Sequence, residues 1–434
     1  MKIVVIGIGY VGLPAAACLA DFGNQVICID KNKQKVKLLN EGKIPIYEPG
    51  LEAIVQRNIK SGNIKFSDNL KQSLPNAEIV MITVGTPINE KTEHADLTDV
   101  KNAVQEVAQG LDHKTIIAIK STVPCGTSDL LEGLIKNVNP DLNFDLVSIP
   151  EFLREGKAVK DFLNPDRIVV GLSSDHPKAL IEKLYSPITE KNIPLLFVDR
   201  RSAELGKYVA NCFLGVKVGF INEIANLCEK VGADVRDIAK IIGADNRIGH
   251  RFLDPGPGFG GSCFPKDILE LVTTAKEVGS KVEIINAAFT TNALRPKHMV
   301  SKIKENLNNS LANKRIALWG LAFKADTDDV RTSPAIEIIQ HLKKEASIIA
   351  CDPKAIDNAR KIMPDIEYTE DYLESVKNAD ALVILTEWKE FRKILPQELK
   401  FLMRGNVVVD LRNILNGKAY IQEGFQYVPI GYRI

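Results

Sequence analysis

The run Gly258-Phe259-Gly260-Gly261-Ser262-Cys263-Phe264-Pro265-Lys266-Asp267 places a cysteine after a glycine-rich turn and two residues before a proline. Proline is favoured at the first positions of a helix, where unpaired backbone N–H groups and the positive end of the helix dipole gather. A thiolate at Cys263 is stabilised in such a place. The glycines remove side chains, so a substrate can come close to the backbone, while Lys266 adds positive charge and Asp267 a carboxylate within one turn. An isolated cysteine in this setting equally fits a small buried residue beside a glycine loop. The rest of the chain favours the nucleophile.

Two further groups carry polar chemistry. Lys207 and Asn211 lie four apart in a helical pattern over residues 203–231, which contains no proline. That spacing puts an ammonium and an amide on one face, able to reach one ligand oxygen; a surface lysine and a tolerated interior amide would give the same pattern. At the amino terminus, a strand-like run over residues 2–6, β-branched from Ile3 onward, leads into Gly7, Gly9 and Gly12, a helical pattern over residues 13–22, a second strand at Gln25–Ile29, and Asp30. Strand, GxGxxG, helix, strand and acid in this order form a dinucleotide-binding fingerprint, in which the acid meets a ribose hydroxyl. Asp30 favours NAD over NADP; Lys31, Lys33 and Lys35 after it could help bind a phosphate, but such a run is more often a solvated face.

These groups need a scaffold of some size. The 434 residues predict two or three domains. Lysine plus arginine number 56 against 55 acids, a net charge of +1 that gives no reason to expect nucleic acid or an anionic membrane as partner. Cys18, Cys28, Cys125, Cys212, Cys228, Cys263 and Cys351 are scattered without a CxxC or a Cys/His cluster, so neither a disulfide framework nor a metal site is expected. With no signal-peptide pattern and no apolar run near membrane length, the expectation is a soluble, cytoplasmic protein with reduced thiols.

Further strand-like runs occur at residues 78–84, Thr115–Ile119 and 167–170, so roughly the first 200 residues read as a doubly wound sheet. Gly85-Thr86-Pro87 and Ser121-Thr122-Val123-Pro124 follow two of these runs, at the strand ends where such folds bind ligands. A second α/β unit opens at residues 315–320, continues with a helix begun by Ser333-Pro334, and has a strand at Ser347–Cys351 ending on Asp352, then strands near 381–385 and 407–409. It lacks the GxGxxG and is expected to hold a different phosphate or nucleotide through Lys324, Arg331 and Arg412, unless these pair with Asp326, Asp328 and Asp329. The expected fold is α/β, with two Rossmann-like doubly wound domains (residues 1–200 and 311–434) joined by a central long-helix dimerisation domain (residues 201–310).

Taken together, these segments resemble the UDP-glucose/GDP-mannose dehydrogenase family over essentially the full length. The carriers are Gly7-Ile8-Gly9-Tyr10-Val11-Gly12 with Asp30, Tyr47-Glu48-Pro49-Gly50-Leu51, Gly85-Thr86-Pro87, Ser121-Thr122-Val123-Pro124, Pro150-Glu151-Phe152-Leu153-Arg154-Glu155-Gly156, Lys207 with Asn211, the Cys263 run, and Gly320-Leu321-Ala322-Phe323-Lys324 with Thr327-Asp328-Asp329-Val330-Arg331. The resemblance implies a four-electron oxidation of a sugar C6 hydroxyl to a carboxylate with two NAD in turn. Cys263 is then the nucleophile, Lys207 and Asn211 stabilise the oxyanion, Asp267 with Thr122 organises a water, and Glu151 assists. It implies NAD contacts at Gly7, Gly9, Tyr10, Val11, Gly12, Asp30, Lys35, Thr86, Thr122, Glu155, Lys266 and Arg331. Substrate contacts are implied at Glu151, Phe152, Leu153, Arg154, Glu155, Lys207, Asn211, Phe252, Leu253, Asp254, Pro255, Gly256, Gly260 and Lys324. Arg247 would reach the sugar nucleotide of a partner subunit, which implies a homodimer. Gly12-Leu13-Pro14 resembles the branch acting on UDP-N-acetylhexosamines, whereas the Tyr47 segment, the Cys263 run and Thr327-Asp328-Asp329 resemble the UDP-glucose branch. A nucleotide-sugar-binding protein without turnover is the alternative of another class.

Overall fold

The computed structural model describes residues Met1–Ile434, and the chain divides into two units, Met1–Ala210 and Asn211–Ile434. The first is built on an eight-stranded sheet: β1 Lys2–Ile6, β2 Gln25–Ile29, β3 Ile64–Ser67, β4 Ile79–Ile82, β5 Thr115–Ile119, β6 Phe144–Ser148, β7 Ile168–Leu172 and β8 Leu195–Asp199, in the order β3-β2-β1-β4-β5-β6-β7-β8. Neighbours are parallel except β6 and β7, which meet antiparallel where Ser148 faces Gly171. A parallel sheet is covered on both faces, so its strands are apolar at successive positions. In β1, Ile3 and Val5 enter one core and Val4 and Ile6 the other. The strand order reverses between β1 and β4, and the crevice outside the carboxyl ends of such strands is where ligands bind.

The second unit carries a six-stranded parallel sheet: β9 Arg315–Trp319, β10 Ser347–Cys351, β11 Glu367–Tyr368, β12 Ala381–Ile384, β13 Val407–Asp410 and β14 Gln426–Pro429, ordered β11-β10-β9-β12-β13-β14. Its first five strands repeat the winding of β3-β2-β1-β4-β5. The expected pair of Rossmann-like sheets is present. The division between the units falls inside the longest helix, Arg200–Val231, which starts three residues before the sequence pattern indicates. Helices Phe264–Glu277 and Glu283–Glu305 pack beside its second half. Small residues permit that approach: a Cβ on Gly215 would stand 2.8 Å from Ile268, and one on Gly219 3.5 Å from Ala288. No helix is long and apolar enough to cross a membrane.

Candidate active site

The glycine turn after β1 has three glycines with three different surroundings. Gly7 adopts φ +95°, a left-handed conformation that favours glycine. A Cβ on Gly12 would lie 1.9 Å from the carbonyl oxygen of Gly7, so the helix Gly12–Asp21 can approach the turn only because that side chain is missing. A Cβ on Gly9 would meet nothing within 4 Å, leaving the backbone open on the side where a pyrophosphate would approach. Tyr10 and Val11 are half-buried between them.

Asp30 is tied to the same turn. Its Oδ2 accepts from the Ile8 N–H at 3.1 Å and from Lys35 Nζ at 3.0 Å, and its Oδ1 from the Asn32 N–H at 2.9 Å. Burial works against its charge, and these donors more than offset it, holding the carboxyl below its usual range. A carboxylate has about four acceptor positions, so a ribose hydroxyl can still be accommodated. Lys35 is thus engaged with Asp30, while Lys31 and Lys33 reach Glu106 and Asp68 only at 3.9 and 3.8 Å on the surface. Thr86, buried after β4, donates to the Thr122 carbonyl at 2.8 Å, bringing together two of the residues expected at the cofactor. These groups fit a dinucleotide.

A buried polar group follows β6. Glu151 is 5 % and Lys207 3 % exposed, and Lys207 Nζ stands 3.6 Å from Glu151 Oε1. Glu151 also accepts from the Leu153 N–H, and the Phe152 ring lies 5.3 Å from Lys207 Nζ and 3.7 Å from the Arg167 guanidinium. Arg154 is held by Asp161 through its N–H and its guanidinium. The adjoining backbone, where Glu155 is half-buried, is anchored by Glu48, whose two oxygens accept from the Gly156 and Ala158 N–H groups at 2.7 and 2.8 Å. The Tyr47–Leu51 motif therefore clamps the 151–156 segment.

In the second unit, Cys263 is the residue before the helix Phe264–Glu277, with Pro265 in its first turn, as the sequence pattern indicates. The thiol is half-buried, and Ser262 Oγ lies 3.5 Å from its sulfur. One turn on, the carboxylate of Asp267 is 1 % exposed, accepts from Asn211 Nδ2 at 2.6 Å on one oxygen and from Lys266 Nζ at 2.7 Å on the other. Lys266 thus pairs with its neighbour Asp267. Lys207 and Asn211 share a helix face, yet each holds a different carboxylate.

The glycine loop before Cys263 is fixed by residues with no motif of their own. Asn292 brackets Phe259, accepting its N–H at 2.8 Å and donating to its carbonyl at 3.0 Å. Thr332 Oγ1 donates to the Gly261 carbonyl at 2.7 Å, the Gly261 N–H donates to the Arg331 carbonyl, and a Cβ on Gly260 would lie 2.2 Å from the Thr332 oxygen. Arg295, 1 % exposed, donates to the Gly256 carbonyl at 2.9 Å, and Asn222 accepts the Gly256 N–H at 2.8 Å. In the expected substrate segment, Leu253, Pro255 and Gly256 are buried and Asp254 exposed, while Phe252 adopts φ +66°, a strained conformation for a bulky residue. Arg247 is exposed and pairs with Asp245.

The second sheet closes the position equivalent to Asp30. Asp352 is 2 % exposed, and its oxygens accept from the N–H groups of Leu321, Ala322, Lys354 and Ala355 and from Trp388 Nε1. Burial pushes its carboxyl up despite these bonds. Arg331 makes a fork on Asp329, at 2.8 Å for the closest pair, and Lys324 lies over the Phe323 ring at 5.3 Å. Arg412 donates to the Leu385 and Phe323 carbonyls and has Glu387 at 3.3 Å.

Residues 1–189 match the NAD binding domain of the UDP-glucose/GDP-mannose dehydrogenase family, 201–294 its central domain and 317–417 its UDP binding domain. The chain belongs to this family. The UDP-glucose 6-dehydrogenase of Rhizobium meliloti is 45 % identical over 99 % of both chains, and that of Bacillus subtilis, TuaD, 41 % identical over 99 % of this chain and 93 % of its own. Among solved structures, a UDP-glucose dehydrogenase from Pyrobaculum islandicum superposes with a TM-score of 0.92 at 33 % identity, covering 100 % of this chain and 98 % of its own. The UDP-D-ManNAc dehydrogenase of Pyrococcus horikoshii gives 0.87 at 27 % identity, with 99 % of each chain covered. The first unit is thus an NAD-binding domain of a nucleotide-sugar dehydrogenase, and the second sheet belongs to the family's UDP binding domain.

Proposed function

We propose that the protein oxidises UDP-glucose at C6 to UDP-glucuronate, with Cys263 carrying the sugar between two oxidations. NAD supplies the hydride acceptor for each. The primary alcohol loses a hydride and a proton to become an aldehyde; the Cys263 sulfur adds to it as a thiohemiacetal; loss of a second hydride and proton gives a thioester; water then cleaves the C–S bond and returns the thiol. Lys207 and Asn211 donate to the sugar oxygen as its charge develops. Asp267, with Thr122, orders the hydrolytic water, and Glu151 assists in moving its proton.

The observation that carries this reading is the Asn211–Asp267–Lys266 set one helical turn beyond Cys263, in which a buried carboxylate is held by an amide and an ammonium in the first turn of the helix that follows the thiol. UDP-glucose is favoured as substrate by the names of the relatives described above, at 41–45 % identity. A UDP-N-acetylhexosamine is the second reading, favoured by Gly12-Leu13-Pro14 and by the Pyrococcus horikoshii likeness. Following NADH absorbance with both sugar classes and GDP-mannose decides between them. Turnover confined to an N-acetylated sugar would overturn the first reading.

We take residues 1–200, 201–310 and 311–434 as NAD-binding, central and UDP-sugar-binding domains of a homodimer working in the cytoplasm, where reduced thiols persist. Leu205, Val209, Phe213, Phe220 and Leu227 support the dimer: they are exposed at spacings of four and seven along the long helix, an apolar stripe suited to a second copy. Arg247 then serves the partner's sugar nucleotide. Hybrids of Arg247→Ala and Cys263→Ala chains should regain activity, and verified hybrids that stay inactive would reject the shared site.

A further inference from the structure

Residues three apart share a helix face, and on the helix Glu283–Glu305 Asn292 and Arg295 use that face to hold the loop before Cys263. Asn292 accepts the Phe259 N–H at 2.8 Å and donates to the Phe259 carbonyl at 3.0 Å, while Arg295 Nε donates to the Gly256 carbonyl at 2.9 Å. The loop passes close over both side chains. A Cβ on Gly258 would stand 3.0 Å from Asn292 Oδ1 and 3.8 Å from Arg295 Cβ.

Packing alone does not account for Arg295. Its side chain is buried, yet its hydrogen bonds go only to carbonyl and amide oxygens of Gly256, Asn222 and Asn226, and Nη2 has no partner. A buried cation without a carboxylate bonded to it lowers stability, and an apolar residue of similar volume would fill the space at less cost. What the guanidinium adds is a fixed donor. Asn222 of the long helix accepts the Gly256 N–H at 2.8 Å, so Gly256 is gripped on both sides.

The two grips lead to different places. A Cβ on Gly256 would stand 3.1 Å from Arg412 Nη1, and Arg412 is itself held by the Phe323 and Leu385 carbonyls, which follow β9 and β12. Gly256 therefore abuts the carboxyl-end edge of the second sheet, where such folds take their ligands. Phe259 leads instead to the thiol. Its ring meets that of Phe264 edge-on, with centroids 6.0 Å apart at 70°, and Phe264 directly follows Cys263.

We propose, on the reading of Gly256 as a substrate contact and Cys263 as the nucleophile, that Arg295 and Asn292 are positioning residues with separate tasks. Arg295 sets Gly256 for the nucleotide, and Asn292 sets Phe259 and through it the Cys263 sulfur. Neither touches substrate or cofactor; both act through the loop they grip.

The test compares wild type with Arg295→Met, Arg295→Lys, Asn292→Leu and Asn292→Asp. Three readouts separate the tasks: calorimetric titration with UDP, the rate at which iodoacetamide alkylates the peptide containing residue 263, and kcat with KM for UDP-glucose. Arg295→Met loses a hydrogen bond from a charged donor, so UDP affinity should fall and KM rise by about tenfold, the loss falling on KM and not on kcat or the alkylation rate. Arg295→Lys keeps the charge and a donor and should recover part of that affinity. Asn292→Leu should bind UDP as wild type does, yet lose roughly tenfold or more in kcat, because a displaced sulfur misses the sugar carbon. Its half-buried thiol should also alkylate severalfold faster as the loop loosens. Asn292→Asp keeps the acceptor without the donor and should show the same pattern.

Variants at both positions that lose UDP affinity, kcat and melting temperature together would make the pair ordinary packing and overturn the proposal. So would a folded Arg295→Met that binds UDP like wild type. The lysine and aspartate variants decide the matter if the apolar ones fail to fold. A wild type that oxidises no UDP-sugar would reject the proposed reaction instead, while UDP titration and alkylation still read the two tasks.

Discussion

The side-chain amide of Asn211 donates to Asp267 Oδ2 at 2.6 Å, and this bond links the long helix to the first turn of the helix that Cys263 opens. It also settles the amide's orientation, since its nitrogen faces the carboxylate. With Lys266 on the other oxygen, Asp267 is held from both sides beneath the reactive loop. The position of the carboxylate is thereby coupled to that of the Asn211 amide.

Breaking that arrangement should cost both turnover and stability. Asp267→Ala leaves the Asn211 amide and the Lys266 ammonium facing a small void, and a buried donor stripped of its acceptor costs about 1–3 kcal/mol. Asp267→Asn keeps the shape but loses the charge. Both variants should lower kcat by roughly 100-fold or more, with only the alanine variant clearly destabilised in urea titrations. Near wild-type kcat for Asp267→Asn would remove the carboxylate from the chemistry.

Gly9 and Gly12 should separate binding from folding. A methyl on Gly12 collides with the Gly7 carbonyl at 1.9 Å, so Gly12→Ala should unfold or strongly destabilise the first unit. A methyl on Gly9 meets no protein atom within 4 Å, so Gly9→Ala should melt close to wild type. It should nevertheless bind NAD much more weakly, because the methyl projects where the pyrophosphate approaches. Calorimetric titration with NAD beside a melting curve checks both. Unchanged NAD affinity in a folded Gly9→Ala protein would contradict this placement of the cofactor.

Asp30 predicts a nucleotide preference and a pH dependence. Its carboxylate repels a 2′-phosphate, so NAD should be strongly preferred, and Asp30→Asn should narrow the preference measured as a ratio of kcat/KM. Because its folded-state proton affinity is depressed, the contacts to Ile8, Asn32 and Lys35 stabilise the protein above the unfolded aspartate range near 4. That contribution is lost as the pH falls through the lower folded value. Wild type should therefore lose stability faster than Asp30→Asn on acidification below about pH 4. Parallel pH–stability curves for the two would show that Asp30 makes no such contribution.

The parts legible from residue order are those where one local rule suffices. β1 with its glycine turn, the Pro265 helix start and the Ser333–Pro334 start are each written in a few adjacent residues. The sequence reading contains no strand at Ile64–Ser67, Phe144–Ser148 or Leu195–Asp199. The first is four residues long with a lysine inside, the second includes Asp145, and the third has two exposed apolar residues, so pairing with neighbours rather than local pattern makes them strands. The same holds for the site. Cys263, Lys207, Asn211 and Asp267 stand out by type and spacing, whereas Asn292, Arg295 and Thr332 hold the loop from distant positions and look like ordinary polar residues in order.

The central claim is that the sugar is carried on the Cys263 sulfur between the two oxidations. Its most direct measurement is mass spectrometry of protein rapidly quenched during turnover of UDP-glucose, read together with NADH formed per sugar. Wild type should give two NADH per UDP-glucuronate and a sugar-nucleotide adduct on the peptide containing residue 263. Cys263→Ser should carry no thioester and turn over more slowly by orders of magnitude, because an alkoxide is harder to form near neutral pH than a thiolate. A Cys263→Ser enzyme producing UDP-glucuronate at a near-normal rate, or a wild-type adduct on another residue, would contradict the account.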